Sequence, residues 1–129
     1  MPSPSELQAV RVLAREFPGL RLLVLYGSRA RGTAHHSSDW DFAYLGDSDL
    51  DEFELRSRLA SAVHCDEIDL ADLSRSGGLL RYRAARDGVL LHERVPGTFE
   101  SFCCEAATFW FDVSAIVRAE HEAILAALG

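Results

Sequence analysis

At 129 residues, with 48% hydrophobic and 26% charged content, the sequence has the length and composition of one soluble globular domain, residues 1–129. A net charge of −7 argues against a nucleic-acid partner, whose phosphates demand a basic face, and no apolar run approaches the length of a membrane span. The N-terminus has no signal-peptide pattern, and the three cysteines fit neither a disulfide framework nor a zinc site, so a cytoplasmic protein is expected. In chain order, Ser3-Pro4-Ser5-Glu6 reads as a capping box with proline at the first helical position. Leu7, Val10, Ala14 and Phe17 follow at helical spacing, and Pro18-Gly19 ends the helix. Leu20 to Tyr26 is a continuous apolar strand. Gly27 to Gly32 is a turn with one helical turn behind it, Thr33 to Ser38 a polar loop, and Trp40 to Leu45 a second strand. Ser48 is placed to cap a helix over Asp49 to Val63, with Leu55, Leu59 and Ala62 on its apolar side. Cys65 to Ala71 alternates acidic and aliphatic residues as a half-buried strand does. A short helix over Leu79 to Arg86 closes at Asp87-Gly88, and Val89 to His92 is a fourth strand. Thr98 to Leu128 contains no Gly or Pro, and Phe99, Phe102, Ala106, Phe109, Val113 and Ile116 recur every three to four residues. That spacing predicts one long helix, or two with a bend near Asp112 to Ser114. The fold class is α/β (α+β), with a mixed sheet of about four strands flanked by helices and a long C-terminal helical segment.

The chemistry concentrates in two places. Gly27-Ser28 stands at the end of the first strand, where the chain turns into a helix start and backbone N–H groups point outward. A Gly-Ser pair alone is a common turn. Ten residues after Ser28 comes Asp39-Trp40-Asp41, whose two carboxylates share one face of a strand while Trp40 takes the other. Asp69 belongs to another strand, with aliphatic neighbours facing the opposite way. Carboxylates converging to about 6 Å would repel by roughly 3 kcal/mol per pair at an effective dielectric near 20. Such a set protonates or takes up a cation, and oxygen-only ligands suit Mg²⁺ completed by substrate phosphates. All 13 basic residues are arginine, so any phosphate held by a side-chain cation is held by Arg.

Gly27-Ser28, ten residues, Asp39-x-Asp41 and a later strand aspartate, Asp69, together resemble the DNA-polymerase-β-type nucleotidyltransferase superfamily. Gly27-Ser28-Arg29-Ala30-Arg31-Gly32 and Ser38-Asp39-Trp40-Asp41-Phe42 are similar to the minimal nucleotidyltransferase (MNT) proteins within it, which commonly act as antitoxins to HEPN-domain ribonuclease toxins. Ile68-Asp69-Leu70, Leu79-Leu80-Arg81, Asp87-Gly88-Val89-Leu90-Leu91 and the helix with Phe111-Asp112 extend the likeness over nearly the whole chain. Trp40 departs from it, since the family more often has an aliphatic residue there. The resemblance implies ATP as substrate, with Gly27 and Ser28 on its triphosphate, Asp39 and Asp41 on Mg²⁺, and Asp69 as a further metal ligand that activates the attacking hydroxyl. Arg31 is the leading candidate for a phosphate-binding cation and Arg29 the second. His35 and His36 lie in the loop between the motifs, and Arg75, Arg81, Arg83 and Arg86 form a local basic cluster that reads first as a solvated face.

Three functions are weighed. The leading one is transfer of AMP from ATP to a hydroxyl, a tyrosine in the resembling family, of a cognate HEPN toxin in a heteromeric complex. The others are transfer to a small molecule such as an aminoglycoside, and a non-catalytic antitoxin acting by binding alone. The full set of three aspartates favours catalysis, and the chain has no room for an added small-molecule substrate domain. On the last helix Phe99, Phe102, Ala106, Phe109 and Val113 make one stripe expected to pack on the sheet. Phe111 falls well outside that stripe and is expected to form an aromatic edge that docks a helical toxin.

Overall fold

The computed structural model describes residues 2–32 and 39–128. The capping box forms as the sequence predicts: the Glu6 amide donates to Ser3 Oγ at 3.2 Å and the Ser3 amide donates to Glu6 Oε1 at 3.0 Å. It starts helix α1 (Pro4–Ala14), which buries Val10, Leu13 and Ala14. Strand β1 (Leu20–Tyr26) is fully buried except at Arg21. A single short helix, α2 (Gly27–Arg31), follows it, and strand β2 (Trp40–Gly46) comes next among the described residues.

Helix α3 runs Glu52–Val63 and starts three residues later than expected. Asp51 is the cap, accepting the Glu54 amide at 3.0 Å, and acidic Glu52 and Glu54 follow in the first turn. Ser48 lies instead in a turn closed by the Leu50 amide on the Asp47 carbonyl. A carboxylate cap with two acidic first-turn residues complements the helix dipole better than a lone hydroxyl. Strand β3 (Ile68–Asp72) also starts late, because the Cys65 amide still donates back to the Ala60 carbonyl. Helix α4 (Gly78–Asp87), strand β4 (Val89–Glu93) and helix α5 (Thr98–Leu128) complete the chain. Helix α5 is one continuous helix of 31 residues, without a break at Asp112 to Ser114. No described helix is long and apolar enough to cross a membrane.

The sheet order is β3-β2-β1-β4, with β1 antiparallel to both neighbours and β2 parallel to β3. A parallel pair needs a crossover, and α3 supplies it. Because side chains alternate along a strand, β1 and β2 each feed two cores. On one face Leu23, Leu25, Trp40 and Phe42 pack under α1 and α3; on the other Leu22, Val24, Tyr26 and Ala43 pack under α4 and α5 through Ala84, Phe102 and Ala106. Phe109 differs from expectation. It is exposed, and its ring lies over Gly78 at the start of α4 rather than on the sheet.

Candidate active site

The register of the sheet assembles the site. Tyr26 on β1 stands opposite Asp41 on β2, and Asp41 stands opposite Asp69 on β3, so three side chains form a row across three strands. The row lies on the α4/α5 face, since Tyr26 and Ala43, at alternate positions with Asp41, belong to that core. Trp40 and Phe42 point the other way and stack on each other at 5.9 Å between ring centroids. Asp39 is exposed, one residue ahead of β2.

Burial pushes the Asp41 carboxyl above its usual range, the charges of Asp69 and Asp39 add to that, and Arg31 opposes it. Tyr26 is pushed up to about 12, by burial first and then by Asp69 and Asp41. Both shifts come first from burial, and the neighbouring carboxylates add to it. Among the described residues no group of three or more His, Cys, Asp or Glu side chains is already gathered around a cation position. The donors that Asp39, Asp41 and Asp69 offer are all carboxylate oxygens, the kind a hard divalent ion takes, and a cation would relieve the repulsion that the raised Asp41 pKa records.

Gly27 has a role that spacing alone does not reveal. Its φ is +75°, and a Cβ there would collide with the Asp41 carboxylate. The glycine therefore makes room for a site aspartate as well as turning the chain out of β1. Beside it a cavity of about 370 Å³ is lined by Tyr26, Gly27, Ser28, Arg31, Asp41, Arg83 and Asp87. Larger hollows, about 510 Å³ beside the start of α5 and about 580 Å³ between α1 and α3, lack these carboxylates and lie elsewhere on the fold. The smaller one holds the Gly27-Ser28 turn together with Asp41.

The structure thus brings Gly27, Ser28, Arg31 and Asp41 around one cavity and puts Asp69 next to Asp41 in the sheet. Arg29, the second cation candidate, lies with its guanidinium 4.4 Å over the Trp40 ring and does not line the cavity. Trp40, the departure from the family pattern, is a core residue only 2% exposed. His35, His36 and Ser38 lie outside the described residues. The four arginines near α4 do not act as one face. Arg75 pairs with Asp72 at 3.7 Å, Arg81 donates to the Leu73 carbonyl under α5, and Arg86 grips Asp87 through two bonds of 2.8 and 3.0 Å. Arg83 lines the cavity. Sequence reasoning left Tyr26 and Asp87 out and left Arg83 on a solvated face. The available signals were the position of Tyr26 directly before Gly27 and the i,i+4 spacing of Arg83 and Asp87 on one helix.

The family described as polymerase beta, nucleotidyltransferase matches residues 8–96, which run from within α1 to just past β4 and hold every one of these positions. The chain belongs to that family. This nucleotidyltransferase is 31% identical over 115 residues to the protein adenylyltransferase MntA of Aphanizomenon flos-aquae, covering 79% of this chain and 77% of that protein. A crystal structure of a toxin-antitoxin with AMP-PNP superposes with a TM-score of 0.73 at 28% identity, covering 92% of this chain and 98% of the other. The structure of a tri-AMPylated Shewanella oneidensis HEPN toxin in complex with MNT antitoxin superposes with a TM-score of 0.65 at 25% identity, covering 94% and 96%.

Proposed function

We propose that this nucleotidyltransferase transfers AMP from ATP to a hydroxyl of a cognate HEPN ribonuclease toxin, a tyrosine hydroxyl, and thereby neutralises the toxin. The observation that carries the proposal is the pairing of Asp41 with Asp69 beside the Gly27-Ser28 turn. It draws support from the relative named a protein adenylyltransferase and from the neighbours solved as toxin-antitoxin complexes, one with AMP-PNP and one with an AMPylated toxin. Gly27 and Ser28 hold the triphosphate through backbone and hydroxyl donors, and Arg31 balances its charge. Asp39, Asp41 and Asp69 hold Mg²⁺, which when bound offsets the negative charge of carboxylates and phosphates together. The attacking hydroxyl oxygen bonds to the α-phosphorus, the bond from that phosphorus to the β-phosphate bridge breaks, and pyrophosphate leaves. Asp69, exposed on β3 while Ile68 and Leu70 are buried, takes the proton from the hydroxyl. The setting is cytoplasmic, in keeping with three free thiols.

The test is co-expression with the neighbouring reading frame's product, followed by intact mass of that product after incubation with ATP and Mg²⁺. One or more AMP additions are expected, and none when the divalent ion is chelated. A stable complex that gains no AMP would leave neutralisation by binding alone as the function.

Gly27→Val should abolish calorimetric binding of a non-hydrolysable ATP analogue. A branched side chain at φ +75° is strained, fills the cavity wall and displaces Asp41. Ser28→Ala removes a single donor and should weaken binding much less. Unchanged affinity in the valine variant would put the nucleotide elsewhere.

A further inference from the structure

Asp87 stands at the end of α4 with only 15% of its side chain exposed, and two arginines reach it unequally. Arg86 is bidentate, Nε to Oδ1 at 3.0 Å and Nη2 to Oδ2 at 2.8 Å. Arg31 approaches the same Oδ2 at 3.7 Å, too long for a hydrogen bond, with 47% of its side chain exposed. The tight pair anchors Asp87 whatever Arg31 does, and the loose pair leaves Arg31 exchangeable. One turn back along α4, Arg83 faces the same cavity with no ion pair or hydrogen bond among the described residues. Lysine is absent from the chain, and Arg31 and Arg83 are the cations among the residues that line the cavity beside Gly27 and Ser28.

From this geometry we infer that Arg83 is a second phosphate-binding residue and that Asp87 is a resident counter-anion, from which the arriving triphosphate takes Arg31. The inference rests on the nucleotide site proposed above. A carboxylate held at 3.7 Å gives Arg31 a weak partner, and phosphate oxygens offer it short, bidentate, charge-assisted bonds. With nucleotide, Arg31 from α2 and Arg83 from α4 close on the phosphates from two sides of the cavity. Arg86 stays on Asp87, so the carboxylate does not follow Arg31 and compete for it. Asp87 is a positioning residue in this scheme, and Arg83 touches the substrate.

Calorimetric titration with inorganic tripolyphosphate and with a non-hydrolysable ATP analogue, both with Mg²⁺, separates the possibilities. Arg83→Ala should weaken both ligands by roughly tenfold to a hundredfold, the loss of one or two charge-assisted bonds, and Arg83→Lys should recover part of it. Asp87→Asn, which keeps the shape and removes the charge, should tighten both several-fold with the thermal melt preserved. Wild-type affinity in Arg83→Ala, while Gly27→Val loses all binding, overturns the role of Arg83 and leaves the nucleotide site standing. Weaker binding in Asp87→Asn overturns the counter-anion and makes Asp87 a support for the bound form of Arg31. Unchanged affinity in Gly27→Val as well overturns the nucleotide site itself.

Discussion

Asp41→Asn should abolish AMP transfer and raise the melting temperature of the metal-free protein in the same step. On the proposed metal assignment, losing one of the carboxylates that would hold the divalent ion removes several kcal/mol of transition-state stabilisation, a fall of roughly a thousandfold or more. The gain in stability follows from the sign of the Asp41 shift. Its folded pKa is raised by burial and by Asp69 and Asp39, so at neutral pH the fold holds a charge that the unfolded chain carries more easily. That cost is present above the folded pKa and disappears as pH falls through it. Asparagine has nearly the same shape, cannot ionise, and removes the cost at every pH, so a rise of a few degrees is expected near neutrality. Asp39→Asn should lose transfer equally but gain little stability, because Asp39 is exposed. Radiolabelled transfer and a thermal melt on both variants decide the matter. Full activity in either variant would sink the metal assignment, and a lowered melt for Asp41→Asn would mean that its charge has a stabilising partner.

Phe111→Glu should leave the chain folded and abolish its co-purification with the proposed partner, the product of the neighbouring reading frame. Phe111 is 62% exposed, touching Tyr82 only edge-on at 6.1 Å between centroids, so a charge there disturbs little inside. Its neighbour Trp110 stacks on Tyr82 at 5.4 Å and fastens α5 to α4. Beyond that fastening Ile116, Val117, Ile124, Leu125 and Leu128 are all exposed. Val117, Ile124 and Leu128, at seven- and four-residue spacing, continue the side of the helix that carries Trp110. A helical end of this length with no cover of its own is marginal in water, and a row of large apolar groups along it marks a surface built for another chain. Aromatic anchors in such interfaces are worth about 2 kcal/mol or more, a thirtyfold or larger loss in affinity. Phe102→Glu is the contrast: that residue is 3% exposed and its substitution should unfold the domain. A complex that survives Phe111→Glu unchanged would move the interface elsewhere, and an unfolded Phe111→Glu would make the residue part of the core.

What the sequence disclosed depended on how local the physics was. Ser3 and Glu6 meet three residues apart, so their capping box was readable from four letters. The shared face of Asp39 and Asp41 follows from strand alternation. That Asp69 falls beside Asp41 depends on the parallel register of β2 and β3, which no spacing within either strand states; the family resemblance supplied it. Arg81, Arg83 and Arg86 look alike in sequence, yet they reach the Leu73 carbonyl, the cavity and Asp87 respectively. Their division is set by how α4 is rotated on the sheet. The resemblance puts Gly27 on the triphosphate, and its hydrogen atom also stands where a Cβ would strike Asp41, a contact between residues fourteen apart.

The place of β3 in the sheet has a consequence for how the protein comes apart. It is a five-residue strand at one edge, hydrogen-bonded in the sheet, among the described residues, to β2 alone, and it carries Asp69. Strand β1, which leads into Gly27, is held on both sides. Edge strands open more readily than central ones, through excursions that leave the rest of the molecule native. Each such excursion removes Asp69, the proposed proton acceptor, and spares the Gly27-Ser28 turn proposed to hold the phosphates. The chain can therefore lose its chemistry while keeping its shape.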